Sequence, residues 1–269
     1  VNAAIVSIHI DGYKVSNPIG FQGKDVAIQI YTAFAPMVHI GALERTATEL
    51  NLELVAVAAE PFAVARAVLG TDESPNYTAI LCDVGGGSTD IAVVNDGGVE
   101  GTKCFGVAGR SFTKTIGGDL SIGYEAAEKL KLNIDGGKIK PNVLRTVNES
   151  IDNTLDVWIS GVQLALSEFD AIDHLPNKFL LCGGGSSLGA LVDRLETSNW
   201  YKDLPFSRRP IIKHVRPSDV SGIEDETGEI TDHTLITALG LLRVGYDTME
   251  SVTGTKETFR DKIDRVLRI

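Results

Sequence analysis

The chain has 269 residues, 43% of them hydrophobic, and its 36 acidic side chains exceed its 25 basic ones for a formal charge of -11. That balance argues against a nucleic-acid partner, whose phosphates demand a basic face. Three cysteines without a Cys-x-x-Cys pair and five scattered histidines indicate neither a zinc site nor a disulfide framework, and no apolar run approaches the roughly 18 residues of a membrane-spanning helix.

In chain order the segments alternate between strand and helix, which predicts an α/β fold. Residues 3–10 and 26–31 read as strands around a loop at 17–23, Asn17-Pro18-Ile19-Gly20-Phe21-Gln22-Gly23. A helix follows over 37–50 and a short strand over 54–58. Glu60-Pro61 then opens an alanine-rich helix, with the proline in the first turn, where its missing N–H costs nothing. Residues 79–94 read as two strands joined by a glycine hairpin, and 106–113 as a small-residue turn entering a helix. Over 143–169, Leu144, Val147, Ile151, Leu155, Ile159, Val162, Leu166 and Phe169 recur every three or four residues, one buried face of a long amphipathic helix. A strand at 178–182 leads to a second glycine turn and a helix start. Residues 219–232 are acidic and read as a surface loop.

The hairpin carries the chemistry. Asp83-Val84-Gly85-Gly86-Gly87-Ser88-Thr89-Asp90 places three glycines, two hydroxyls and two carboxylates where a buried strand ends. Glycines admit backbone N–H groups to close approach with a ligand, which a Cβ would obstruct. Such N–H groups and hydroxyls suit phosphate oxygens, and an adjacent carboxylate suits magnesium, which keeps several of its waters. An ordinary turn needs one or two glycines and no flanking acids.

The second cluster, Cys182-Gly183-Gly184-Gly185-Ser186-Ser187, follows another strand about a hundred residues on. Two such units suggest the two sides of one nucleotide cleft. Three familiar nucleotide signatures are missing: Gly-x-x-x-x-Gly-Lys-Ser/Thr, Gly-x-Gly-x-x-Gly after a strand, and the protein-kinase set. This is another phosphate-binding geometry.

Taken in order, these motifs resemble the actin-like ATPase superfamily. Residues 83–90 resemble its second phosphate motif, Ala59-Glu60-Pro61 its first connecting motif, 181–187 its adenosine motif, and Thr237-Ala238-Leu239-Gly240-Leu241-Leu242 its second connecting helix. Within the superfamily the chain is similar to the FtsA cell-division family: residues 17–23 match its Asn-Pro-x-Gly segment, and 110–131 lie on its sequence without a gap. The resemblance implies a ribonuclease-H-like, two-lobed α/β ATPase. Residues 1–33 would be the remainder of an inserted subdomain, 34–75 the end of the first lobe, 76–132 and 177–250 the second lobe, 133–176 its helical subdomain, and 251–269 an amphipathic tail. The superfamily's first phosphate hairpin would fall ahead of Val1, so the chain is read as lacking it; Ile10-Asp11-Gly12-Tyr13 is a superficial match.

The resemblance also implies the site. ATP and magnesium would lie between the lobes, the phosphates on Gly85, Gly86, Gly87, Ser88, Thr89, Asp90 and Gly109. The adenosine would lie against Gly184, Gly185 and Ser187, with ribose and adenine held by Glu128 and Lys131. Asp83 would hold magnesium through water and Glu60 would orient the attacking water, making these two the candidate catalytic residues. Phe259, Ile263, Val266 and Leu267 share a helical face in a basic segment, the candidate membrane anchor. The implied protein polymerises with itself, binds an FtsZ-type tubulin homologue, and sits in the cytoplasm on the inner face of the cell membrane at the division site. Its ATPase activity would be weak at most. Ala108-Gly109-Arg110 departs from the family, which has Gly-Gly-Asp there, so a base replaces an acid near the phosphates.

Two alternatives within the superfamily are a PilM-like pilus-assembly scaffold and a small-metabolite kinase, although no dedicated acidic base for a kinase is evident. Outside it, Gly185-Ser186-Ser187-Leu188-Gly189 fits the Gly-x-Ser-x-Gly elbow of serine hydrolases, with Asp225 and His233 following in the required order.

Overall fold

The computed structural model describes residues 2–15, 18–69, 77–137, 139–170 and 172–253. Two sheets organise them. Strands β1 (Asn2–Ile10), β2 (Tyr13–Lys14) and β3 (Val26–Ala33) form an antiparallel sheet in the order β2-β1-β3. Helices α1 (Met37–Glu49) and α2 (Glu60–Leu69) follow. The second sheet is built from β4 (Ala79–Val84), β5 (Thr89–Asn95), β6 (Gly98–Phe105), then β7 (Lys178–Cys182) and β8 (Ile211–His214), after helices α3 (Gly109–Asp119), α4 (Tyr124–Leu132) and α5 (Pro141–Ser167), with α6 (Gly189–Thr197) between β7 and β8. Helix α7 (Ile236–Thr253) closes the described chain.

The five strands run β6-β5-β4-β7-β8. The β4–β5 and β5–β6 pairs are antiparallel hairpins, whereas β4–β7 and β7–β8 are parallel. Parallel neighbours need long crossovers, and β4 and β7 are joined through α3, α4 and α5. Every residue of β4 is buried, as a central strand covered on both faces requires. Its side chains alternate between two cores. Ile80, Cys82 and Val84 join Phe112, Ile116, Leu155 and Trp158 under α3 and α5. Ala79 and Leu81 join Val64, Ala65, Ile236 and Leu239 under α2 and α7.

The predicted α5 is present, its face formed by Val147, Ile151, Leu155, Ile159, Val162 and Leu166, all buried. Asp11-Gly12 and Asp96-Gly97 are two-residue hairpin turns with positive φ at both positions, the geometry that Asp-Gly favours. Asp11 and Gly12 therefore turn β1 into β2 and have nothing to do with phosphate. The strand expected over 54–58 is not formed: residues 52–59 lie outside any strand, because among the described residues no neighbour supplies the ladder partner that extended backbone needs. Asn17 and the 251–269 tail, apart from the end of α7, fall outside the described residues, as do Phe259, Ile263, Val266 and Leu267.

Helices α2 and α7 cross closely at one point. A Cβ on Gly240 would lie 2.1 Å from the carbonyl oxygen of Ala63, so only glycine permits the crossing. Ala63, Ala65 and Ala67 are fully buried beside it, and Arg66 and Arg243 reach Asp247 from the two helices. This is the close helix contact that the small residues around 237–242 predict.

Candidate functional site

The β4–β5 hairpin projects from the sheet end into a ring of glycine turns. Its register pairs Asp83 with Asp90 and Val84 with Thr89, and Gly85 N–H donates to Ser88 O at 3.0 Å to close the loop. Helix α3 docks end-on: Gly109 N–H donates to Gly85 O (3.1 Å) and Arg110 N–H to Gly86 O (2.8 Å). The turn after β7 approaches from the other side. There, Gly183 adopts φ +78°, and a Cβ on it would sit 2.0 Å from Asp83 Oδ1. A Cβ on Gly185 would sit 2.7 Å from Gly85 O, and one on Gly109 3.2 Å from the same oxygen. Three turns distant in sequence thus meet backbone to backbone at Gly85. Glycine is required at 183 and 185 by contact, whereas Gly184 faces open space.

Acids gather beside this junction. Asp83 and Asp90 are only 7% and 9% exposed and stand directly opposite one another, an unfavourable placement for two charges. Burial raises the Asp83 pKa above the usual carboxylate range; a hydrogen bond from Thr237 Oγ1 opposes the rise and Asp90 adds to it. Glu60, the first residue of α2, is also pushed up, by desolvation and then by Asp90 and Asp83. The three carboxylates therefore sense one another across two strands and a helix start. Ser88 Oγ donates to Asp90 at 3.0 Å.

Thr89 departs from its expected role as a phosphate contact. It is fully buried, its hydroxyl donating to Val107 O (2.8 Å) and accepting from Trp158 Nε1 (2.9 Å). Alternation along β5 turns it away from the hairpin mouth, and it ties the hairpin to α5 instead. The thiols of Cys82 and Cys182 are buried and held well above the ordinary thiol pKa by desolvation, the inert structural state.

Glu128 and Lys131 lie one turn apart on α4 with their heads 2.9 Å apart. They are not a solvated pair. Lys131 Nζ also donates to Gly109 O (3.0 Å) and Thr113 Oγ1 (2.9 Å), and Thr113 donates to Glu128. Partial burial would raise the Glu128 pKa, but the hydrogen bonds from Thr113 and Lys131 outweigh it and bring the pKa below the ordinary value. The pair fastens α4 to the first turn of α3, beside the glycine junction.

Ser187 ends a 3-10 turn, Gly184–Ser187, and its Oγ lies 3.0 Å from His233 Nε2. His233 stacks on His214 with ring centroids 3.8 Å apart. Desolvation, then the neighbouring His214, lowers the His233 pKa against an opposing pull from Asp232. The elbow pattern thus finds its serine and histidine in contact, but the triad fails. Asp225 is turned into its own loop, accepting from Thr227 and Ile230. The positive φ that a nucleophile elbow puts on its serine belongs to Gly183, and Leu188 N–H, the expected oxyanion donor, bonds Gly185 O.

Among the described residues no three His, Cys, Asp or Glu side chains are grouped to hold a metal directly. The donor set suits an ion bound through one carboxylate, water and ligand phosphates, the usual state of magnesium. Two features escaped the sequence reading. Thr237, noted there only within a connecting helix, donates to Asp83, and Thr113 links α3 to the Glu128–Lys131 pair. A single hydroxyl at a helix start carries no signal of its own until the fold brings its acid near.

Comparison with known proteins agrees with this architecture. A family model described as cell division protein FtsA matches residues 80–240. FtsA of Buchnera aphidicola subsp. Acyrthosiphon pisum is 24% identical over 91% of this chain and 62% of its own length. FtsA of Bacillus subtilis is 35% identical over 33% of this chain and 20% of its own length. Among solved structures, the PilM–PilN type IV pilus biogenesis complex superposes with a TM-score of 0.64 at 19% identity, covering 90% of this chain and 66% of the other. An MreB protein of Spiroplasma citri bound to AMPPNP gives 0.55 at 19%, covering 83% of this chain and 69% of the other. The fold is therefore the actin-like α/β ATPase fold. The chain spans about 60% of the length of the first two relatives it matches. A match over more than half its residues, through both glycine turns and the start of α7, places the chain in the FtsA family of cell-division proteins.

Proposed function

We propose that this chain forms part of an ATP-binding cell-division protein, with the nucleotide held at the glycine junction. The observation that carries this reading is the convergence of three glycine turns on Gly85, where a Cβ at Gly109 or Gly185 would press on the Gly85 carbonyl and one at Gly183 on Asp83, while Gly184 faces open space. The AMPPNP bound by the MreB of similar fold supports it. Gly85, Gly86, Gly87, Ser88 and Gly109 would line the phosphates, Gly184, Gly185 and Ser187 the adenosine, and Glu128 and Lys131 the ribose edge.

Magnesium, when bound, would supply positive charge to the phosphates, with Asp83 holding it through water and Asp90 behind it. Glu60, its pKa raised by partial burial and by its acidic neighbours, is suited to orient and accept a proton from an attacking water. Phosphoryl transfer rests mostly on positioning and electrostatics, so hydrolysis is slow until the cleft closes. Binding and assembly come first, catalysis second. Family membership supports the rest of the proposal: self-assembly into filaments, an FtsZ-type partner, and a place in the cytoplasm at the inner membrane face of the division site. The amphipathic tail would anchor it there, multiplied by avidity along a filament. No described helix is long and apolar enough to cross a membrane.

The test is magnesium-dependent ATP binding by the full-length protein, with Asp83→Ala alongside. Binding weakened by about tenfold or more in the variant supports the site. A folded protein that binds no ATP with or without magnesium overturns the reading.

A further inference from the structure

The departure at Arg110 acquires a purpose once its side chain is placed. It occupies the second position of α3, and the backbone N–H groups of Gly109 and Arg110 already bond the hairpin carbonyls of Gly85 and Gly86. The amides that a helix start commonly offers to an anion are thus engaged here. The side chain folds back over the hairpin instead. Measured from where a Cβ would stand on Gly86, Arg110 Nε is 3.4 Å away and Cζ and Nη2 are 3.8 Å away; from the same point on Gly87, Nη1 is 3.8 Å away. The guanidinium therefore lies along both glycines.

Arg66, Arg194, Arg216 and Arg243 each pair with an aspartate. Arg110, like Arg45, Arg208 and Arg209, forms no ion pair among the described residues, and of these four it is the one whose guanidinium lies over the glycine hairpin. It stays unpaired although three acids, Glu60, Asp83 and Asp90, crowd the adjacent sheet end, where burial and then Asp90 and Asp83 raise the pKa of Glu60. A cation over a phosphate-type hairpin that pairs with none of the nearby acids leaves the site with an anion-seeking group beside its cation-seeking carboxylates. Guanidinium is suited to that role: planar, permanently charged, and able to give two parallel hydrogen bonds to a phosphate.

Resting on the nucleotide reading above, we infer that Arg110 is the phosphate clamp of this site, a specificity-determining residue that makes affinity depend on the number of phosphates. Adenosine, held by the turn after β7 and by α4, is indifferent to it.

The experiment is calorimetric titration of the full-length protein with ATP, ADP and adenosine in magnesium, for wild type, Arg110→Ala and Arg110→Lys. The exposed position of Arg110 leaves folding intact, checked by an unchanged thermal transition. The expected result is a roughly 10- to 100-fold loss of ATP affinity in the alanine variant, the range of a charged hydrogen-bonding pair. ADP loses less, adenosine is unchanged, and lysine restores part of the loss because it keeps charge without the fork. The salt dependence of ATP binding flattens in the alanine variant. Wild-type ATP binding with an alanine variant within twofold of it, or tighter than it, overturns the clamp while leaving the nucleotide site standing. A folded wild type that binds no nucleotide overturns both.

Discussion

The two sheets of this protein teach opposite lessons about what an apolar sequence achieves. In the five-stranded sheet, β4 is buried end to end between two helical layers. In the three-stranded sheet, β3 is just as apolar, yet Val26, Ile28 and Ile30 are 56%, 40% and 38% exposed. The small sheet meets the edge of the larger one through polar links, Lys14 of β2 to Asp96, Gln29 to Glu100 and Tyr31 to Thr102, and through Val6 and Tyr31, which join a core cluster with Val99 and Phe62. Helix α1, which follows β3, buries none of its residues. A strand is stabilised by what covers it, not by its own hydrophobicity: the outer positions of β3 lack the cover that two helical layers give β4.

The comparison breaks most visibly under truncation. Leu155→Ala, in the buried face of α5, removes a side chain from the core cluster that also holds Ile80, Cys82 and Val84 of β4 and is expected to cost about 2–5 kcal/mol. Urea denaturation would read it, and a cost under about 1 kcal/mol would mean that this core is not the dominant one. The site itself should sit between the extremes. Because Asp83 has its folded-state pKa raised by burial, its neutral form is favoured by folding. The associated stability is present below the unfolded carboxylate pKa of about 3.9 and is lost as pH rises through the folded value. Asp83→Asn is therefore expected to raise Tm at neutral pH by about 2–4 °C, the shift made by roughly 1 kcal/mol in a domain of this size, and to lose that advantage in acid. A variant equally stabilised at pH 3 would show the effect to be packing. Smallest of all, Ile28→Ala in β3 should cost about 1 kcal/mol, since 40% of the residue's surface stays exposed and less apolar area is lost than at a fully buried site. A cost near that of Leu155→Ala would reveal that β3 is covered in solution.

Much of this arrangement was legible in sequence because it rests on local rules. Periods of three and four residues set α5; glycine runs after apolar strands set both turns; Pro61 and the alanines set α2. The Asp83–Asp90 hairpin and its acids followed from residue types alone, since no other residues let backbone approach so closely. The errors arose where local rules are silent. As a hydroxyl next to glycines, Thr89 reads in sequence as a ligand contact, but strand alternation points it at Trp158. Residues 54–58 have strand-like composition without a strand beside them. Ser187 and His233 do meet, yet the acid meant to complete them is held in its own loop.

By itself, then, the sequence determined the α/β alternation, the long helix α5, the two strand–glycine units and the family resemblance, because these depend on residue identity and short-range periodicity, whereas β6 and β8 are strands it did not announce. Only the tertiary structure decided that three turns from three parts of the chain converge on one carbonyl at Gly85. It alone decided that Gly240 must be glycine to pass Ala63, that Thr237 donates to Asp83, and that Arg110 lies unpaired over the hairpin. Those are relations between distant segments, fixed by packing and by which charges find partners, and no local pattern encodes them.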